Sequence, residues 1–393
     1  MFGTLVDYWH LTGDNSYNAA TLQALVHQAS PKEDFLPTNQ SRNEGNDDQG
    51  FWAMAAMSAA ENKFVDPPSD QPQWLALVQS VFNQYVSRWE PENCGGGMRW
   101  QIYSFNKGWY YKNSISNGCF FNVAARLHRY TGNSTYGEWA TKIFEWQQAS
   151  SLITKDYGVH DGVSFNEGDQ KCPRMDIIEW TYNAGIFLHG AAAMYNATED
   201  AKWKTAVDGI LKHVQTKFVK DGLIFEQQCE GPQNCNNDQQ SFKGYLIRWL
   251  AATSKLAPYT YDTIKPLLQK AATAAASVCI GTAAPPKFNG LPGTACGFGW
   301  TTPGKFDGIV AVGSHMNALD AVMYNLVQKA APPVTQKSGG TSKGNPAAGS
   351  GGTKDPTALE PLTGADKAGA GILTVLCLAG IIGGTAFMLL DIR

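Results

Sequence analysis

The chain has 393 residues, 43% of them hydrophobic and 11% aromatic, enough to bury a sizeable core. A formal net charge of −3 and a charged fraction of only 17% exclude the basic face that nucleic acid would need, so no nucleic-acid partner is expected. Few charges beside abundant Gly, Asn, Gln, Trp and Tyr leave neutral hydrogen-bonding groups and aromatic plates on the surface, as suits uncharged polar ligands such as sugars.

The first residues, MFGTLVDYWHLTGD, carry neither a basic stretch nor a long apolar run, so no signal peptide is read there. Apolar residues at helical spacing then predict two alternating sets of helices. One set is rich in small residues and has polar groups at its N-terminal ends: 2–13, 46–62, 113–131, 179–196, 239–253 and 313–328. The other is amphipathic with charged faces: 16–29, 70–88, 134–149, 200–218 and 259–278. Three similar phrases join them, running from Tyr8 to Tyr17, Tyr130 to Tyr136 and Tyr195 to Trp203, with Gly13 and Gly132 as natural helix-ending residues. Such alternation reads as an all-α toroid of helical hairpins, an inner ring wrapped by an outer one. Six inner helices against five outer ones lead symmetry to expect one more outer helix, and a signal peptide, ahead of Phe2.

The loops at 89–112, 150–178 and 279–312 are long and rich in Gly, Asn and Trp, and should gather at the end where the inner helices begin. Cys229 with Cys235, and Cys279 with Cys296, flank turn-rich loops and read as disulfide staples of an oxidising compartment. Sequons at Asn39, Asn133 and Asn196 are candidate glycosylation sites on a secretory route. Residues 331–369, rich in Pro, Gly, Ser, Thr and Lys, read as a disordered stalk that ends a 1–330 domain. The final segment, 370–393, contains an uncharged run at 371–390 long enough to span a bilayer. Small residues at Ser350, Gly351 and Gly352 ahead of that run favour a GPI-anchor signal over a plain transmembrane helix.

Chemistry points to 43–52, NEGNDDQGFW, at the start of the second inner helix. Aspartate caps helices well, and the helix dipole stabilises negative charge there. Capping explains one aspartate and leaves the pair Asp47 and Asp48 unexplained. Glycoside hydrolysis needs two carboxyl groups, about 5–5.5 Å apart in retaining enzymes and about 6.5–9.5 Å apart in inverting ones. Neighbouring residues reach the shorter separation, and their repulsion would keep one carboxyl protonated beside an ionised one.

At this point the sequence resembles glycoside hydrolase family 76. The resemblance rests on NDDQGFW, CGGGMRWQ at 94–101, YYKNSISNG at 110–118, EWTYNAG at 179–185 and CNNDQQSFKGYLIRW at 235–249. It is strongest toward fungal, GPI-anchored mannan endo-1,6-α-mannosidases and covers roughly residues 1–328. It implies an (α/α)6 toroid and a retaining endo-α-1,6-mannosidase or transglycosidase in which Asp47 is the nucleophile and Asp48 the acid/base; the residues themselves show no metal site, and no cofactor is expected. It further implies α-mannan or a mannosyl GPI glycan as donor, β-glucan as a candidate acceptor, and a place between plasma membrane and cell wall.

The remaining candidates for substrate contact are Asn46, Trp100, Gln101, Tyr111, Asn113, Glu179, Trp180, Tyr182, Asn183, Asp238, Lys243 and Trp300, all near inner-helix starts or on the long loops. An isoprenoid-type D-D-x-x-D site is excluded, because position 51 is Phe. No phosphate-cradling glycine motif opens a helix after a strand, so nucleotide chemistry is unsupported. The rival from another class is a non-catalytic mannan-binding wall or scaffold protein.

Overall fold

Small residues let the inner helices approach one another, and a computed structural model describing residues 1–283, 288–351 and 363–390 shows the ring they build. Among the described residues, the inner helices are α1 (Phe2–Thr12), α3 (Asn46–Glu61), α5 (Ser114–Thr131), α7 (Thr181–Thr198), α9 (Phe242–Leu256) and α11 (Val312–Met323). Between them in sequence lie α2 (Asn18–Gln28), α4 (Trp74–Arg88), α6 (Ser134–Ala149), α8 (Ala201–Lys217) and α10 (Tyr261–Ser277). Each inner helix packs on the next, and α1 packs on α11, so the ring closes. The closure is polar as well as apolar: Asp7 of α1 pairs with Arg248 of α9 at 2.8 Å and accepts a 2.6 Å hydrogen bond from Tyr324, just beyond α11.

The outer helices bury one stripe each. On α4 it is Trp74, Leu77, Val78, Val81, Phe82 and Tyr85, spaced by three and four residues. The joints end as the sequence requires: Gly13 and Gly132 lie at φ 75° and 73°, and Glu199 takes the same left-handed position at 56° in the third joint. Asn133 and Asp200 then cap α6 and α8 through their side chains.

Three short strands stand on the loop end of the ring: β1 (Tyr111–Asn113), β2 (His160–Ser164) and β3 (Arg174–Glu179), antiparallel in that order. The expected disulfides Cys229–Cys235 and Cys279–Cys296 are formed, and a third, Cys94–Cys172, ties the 89–110 loop to the loop between β2 and β3.

At the opposite end, Glu61 closes α3 in a buried ion-pair network with Arg126 (2.6 Å) and Arg129 (3.5 Å) of α5. Here the expected boundary at 330 needs correcting. The compact unit is Met1–Thr353, and 331–351 lies on it as a strap. Val334 donates its N–H to the Glu61 carbonyl, and Arg129 donates to the Pro333 and Val334 carbonyls. The strap then follows α4: Ser342 accepts from the Leu75 N–H, Asn345 donates to Gln79, and Asn83 donates to the Pro346 and Ala348 carbonyls. A segment whose composition reads as disordered is thus held because it satisfies groups that helix ends and an outer helix leave open.

The second unit, Lys354–Arg393, contains α12 (Gly364–Leu390), 27 residues long and apolar enough to cross a membrane. The part of the expected stalk at 352–362, Gly352 included, lies outside the described residues.

Glu61→Gln removes the charge that neutralises two buried guanidinium groups and should lower the stability of the first unit by about 3–5 kcal/mol, read by denaturant titration. An unchanged midpoint would show that the network carries little of the ring's stability.

Candidate active site

The inner helices begin on the face that carries the three strands and the long loops. A cleft of about 680 Å³ opens there, lined by Asp47, Asp48, Trp100, Tyr111, Asp161 and Asp238 among others, with Phe51, Tyr245 and Arg248 on its floor.

Both aspartates sit in the first turn of α3, where free N–H groups and the helix dipole favour negative charge. Asp48 turns back and accepts the Gly45 N–H at 2.7 Å, while its open side faces the water of the cleft. Asp47 is half-buried and takes a different partner: the Trp100 indole N–H reaches both of its oxygens at 3.1 Å. Trp100 is itself fixed from both sides, donating its backbone N–H to the Tyr111 carbonyl and accepting from the Asn46 N–H at its own carbonyl. Behind it runs a tight turn. Gly108 lies at φ 100°, and a Cβ there would stand 2.5 Å from the Trp100 ring, so only glycine lets this backbone back the indole.

Loss of water and the Asp48 charge together raise the Asp47 pKa to about 8. Asp48 is raised as well, first by the same loss of water, while Asp238 adds negative charge from across the cleft. Glu44, buried just before the pair, is pushed up to about 7 by burial and by Asp48 and Asp34. The pair therefore keeps a proton well above the ordinary carboxylate range, the state in which one acid and one carboxylate stand side by side.

Asp161 joins them from β2. The register of β2 against β3 shifts between His160 and Gly162, and this irregularity brings Asp161 to the cleft. The Tyr111 hydroxyl donates to it at 2.5 Å. Gly162 makes room for that tyrosine, since a Cβ would meet the ring at 2.5 Å. Burial raises the pKa of Asp161, opposed by the Tyr111 hydrogen bond. On the other wall Tyr182 stacks on Phe242 with ring centres 3.7 Å apart, nearly parallel.

Of the residues expected to contact substrate, Trp100, Tyr111, Asn113, Tyr182 and Asp238 line the cleft. Trp180 stands behind it, edge-on to Phe242, and Asn183 is fully buried beside Asp161. The others need correction. Asn46 is buried and bonds the Arg99 carbonyl and Arg88, which holds the start of α3 in place. Gln101 is buried, bridging through its backbone to Gly45. Glu179 turns outward to His213 at 2.6 Å and Lys217 at 3.5 Å. Lys243 is fully buried, bonded to Glu230 and the Phe298 carbonyl, and Trp300 packs fully buried against its ammonium group.

Sequence reasoning missed Asp161, Phe242, Tyr245 and Arg248. For Arg248 the RW ending of the 235–249 segment was a signal, one helical turn below Tyr245. For Asp161 no local signal exists. All three glycosylation candidates, Asn39, Asn133 and Asn196, are exposed, and the Asn196 amide also bonds Arg129 and the Leu256 carbonyl.

Comparison with known proteins fits this geometry. The profile described as "Glycosyl hydrolase family 76" matches residues 1–337. The mannan endo-1,6-alpha-mannosidase DCW1 of Saccharomyces cerevisiae is 43% identical over 386 residues, 97% of this chain and 82% of the yeast protein. The crystal structure of Dfg5 from Chaetomium thermophilum in complex with glucosamine superposes with a TM-score of 0.82 at 46% identity, covering 88% of this chain and 84% of that one. The GH76A alpha-1,6-mannanase of Salegentibacter sp. HEL1_6 shares the fold, with a TM-score of 0.63 at 17% identity over 82% of this chain and 88% of its own. The chain belongs to glycosyl hydrolase family 76.

Two outcomes follow from the clamp and the repulsion. Trp100→Phe keeps an aromatic plate but removes the donor to Asp47, and turnover should fall about 10- to 100-fold, read as kcat on the best substrate found. Asp48→Asn removes the neighbouring charge and should lower the Asp47 pKa from about 8, read by ¹³C titration of the labelled carboxylates. A value that does not move would mean that water exclusion alone sets it.

Proposed function

We propose that this member of glycosyl hydrolase family 76 is a retaining, endo-acting α-1,6-mannosidase that works on mannan or a mannosyl glycan of the cell surface. The observation that carries the reading is the carboxyl pair at the start of α3, one member clamped by an indole and the other open to the cleft. The yeast relative's name supplies the linkage.

Asp47 takes the role of nucleophile. Its two oxygens accept from Trp100, a group that can only donate, so the clamp favours the ionised form and fixes its direction. The repelling pair shares one proton, and Asp48, open to the cleft and raised by burial and by Asp238, takes the role of acid/base by carrying that proton to the substrate. In the first step the Asp48 proton passes to the glycosidic oxygen as the C1–O bond breaks, and an Asp47 oxygen bonds to C1. The leaving sugar departs with a new hydroxyl. In the second step Asp48, now ionised, takes a proton from water, the water oxygen bonds to C1, and Asp47 leaves as carboxylate. Two inversions restore the α configuration. Tyr111 with Asp161, and the stacked Tyr182, are placed to hold sugar hydroxyls and the apolar face of a pyranose.

A sugar hydroxyl in place of water would make the same intermediate transfer rather than hydrolyse, and the aromatic residues along the cleft, suited to seat an acceptor sugar, support transfer to a glucan acceptor as part of this proposal. The apolar helix Gly364–Leu390 supports tethering to a membrane, with a GPI anchor or a spanning helix as its form. A mannan-binding protein without turnover is the weaker reading, because binding alone gives no reason to hold two aspartates at raised pKa side by side.

The test is turnover of α-1,6-mannooligosaccharides by the full chain in detergent, with and without a glucan acceptor. Asp47→Asn and Asp48→Asn should each lower kcat by at least about 10²- to 10⁴-fold while leaving oligosaccharide binding measurable. Binding without turnover by the unaltered protein would favour the scaffold reading.

A further inference from the structure

Tyr111 has two faces toward solvent. One looks into the cleft, where its hydroxyl bonds Asp161. The other helps to line a second groove of about 710 Å³, outside the cleft, between the 104–111 loop and the end of β2. Apart from Tyr111 and Gly108, its lining residues have no role in the cleft described above.

Its surface has a carbohydrate-binding composition. Tyr110 stands half-exposed with its ring edge-on to Phe165, beside Trp109. Asn106, Asn166, Glu167 and Arg174 surround these rings with planar side chains that donate and accept in pairs. Aromatic plates flanked by amide, carboxylate and guanidinium groups match alternating C–H faces and hydroxyl edges of a neutral pyranose chain.

The groove is also rigid. Arg99 lies beneath the rings of Trp109, Tyr110 and Phe165 at 4.4, 5.5 and 4.8 Å, and pairs with Glu90 at 2.6 Å. Lys112, fully buried, gathers the carbonyls of Glu90, Asn93 and Gly96, and the Cys94–Cys172 bridge joins the two loops. A preformed site loses little freedom on binding. Its back is the Gly108 turn that supports Trp100, so groove and catalytic clamp share one piece of backbone.

We infer that this groove is a second glycan site, which holds distal sugars of the same mannan chain whose scissile bond lies in the cleft. The inference rests on the proposed mannanase activity for the identity of the sugar. Continuity through Tyr111 is the reason for choosing the same chain over a separate partner. The full-length protein should then prefer polymer to short oligosaccharides, and the preference should depend on Tyr110.

The experiment compares unaltered protein, Tyr110→Ala and Tyr110→Phe on a short α-1,6-mannooligosaccharide and on polymeric α-1,6-mannan. Tyr110→Ala should raise KM for the polymer about threefold to tenfold, leave kcat unchanged and leave the short substrate untouched. Tyr110→Phe should restore the polymer KM, since the plate is kept. A second reading needs no truncated side chain: in protein labelled with 3-fluorotyrosine, the Tyr110 resonance, identified by its loss in Tyr110→Phe, should shift on adding polymer and not on adding the short oligosaccharide. Equal effects of Tyr110→Ala on both substrates, or a resonance unmoved by polymer, would overturn the second site. Turnover of neither substrate would instead remove the mannanase reading, and the fluorine titration with polymer would still decide the groove. A shift produced by a β-1,3-glucan oligomer and not by mannan would overturn the inference too.

Discussion

Two carboxylates on consecutive residues, partly stripped of water at the start of one helix, cannot both stay ionised, and most of the ring can be read as the means of keeping them there. The start of α3 supplies N–H groups, a dipole and the Gly45 cap. The Trp100 indole fixes one member, and burial together with the nearby Asp238 raises the pKa of the other. None of this lasts unless α3 is held against its neighbours. Asn46 therefore spends its side chain on Arg88 and the Arg99 carbonyl, and its own carbonyl accepts from Tyr85.

The same economy runs through the polar interior of the toroid. Asp7, Arg248 and Tyr324 close the ring between α1, α9 and α11, directly beneath the cleft floor. Burial and the nearby Asp7 raise the pKa of Asp320 to about 8, while Arg248 opposes them. At the far end Glu61 balances Arg126 and Arg129 and lends its carbonyl to the strap. Buried ions of this kind stabilise little in themselves, but each is costly to leave unpaired, so together they restrict the ways the helices can pack.

How much of this can be read in the sequence depends on distance along the chain. The helices and their order follow from 3.6-residue periodicity, and the joints from Gly13 and Gly132, all local signals. The pair Asp47 and Asp48 is legible because two adjacent acids at a helix start exceed what capping needs. Position at a helix N-terminus identifies the right end of the toroid but not the direction of a side chain. For that reason Glu179 and Lys243 were expected in the cleft, whereas they face α8 and the buried Glu230. Asp161 depends on strand pairing across about fifty residues and on a shift in register, neither of which leaves a local pattern. The strap at 331–351 has the composition of a linker and is held by hydrogen bonds to elements more than 200 residues away and by Val334 packing on the core.

Adjacency itself carries the central claim, since neighbouring carboxylates suit attack on C1 better than activation of a distant water. The direct measurement is the anomeric form of the first-formed product, followed by ¹H NMR during hydrolysis of an α-1,6-mannooligosaccharide before mutarotation mixes the signals. The α hemiacetal should appear first, with the β form growing in later. A product released as β would contradict a covalent Asp47 intermediate, and with it the roles assigned to both aspartates.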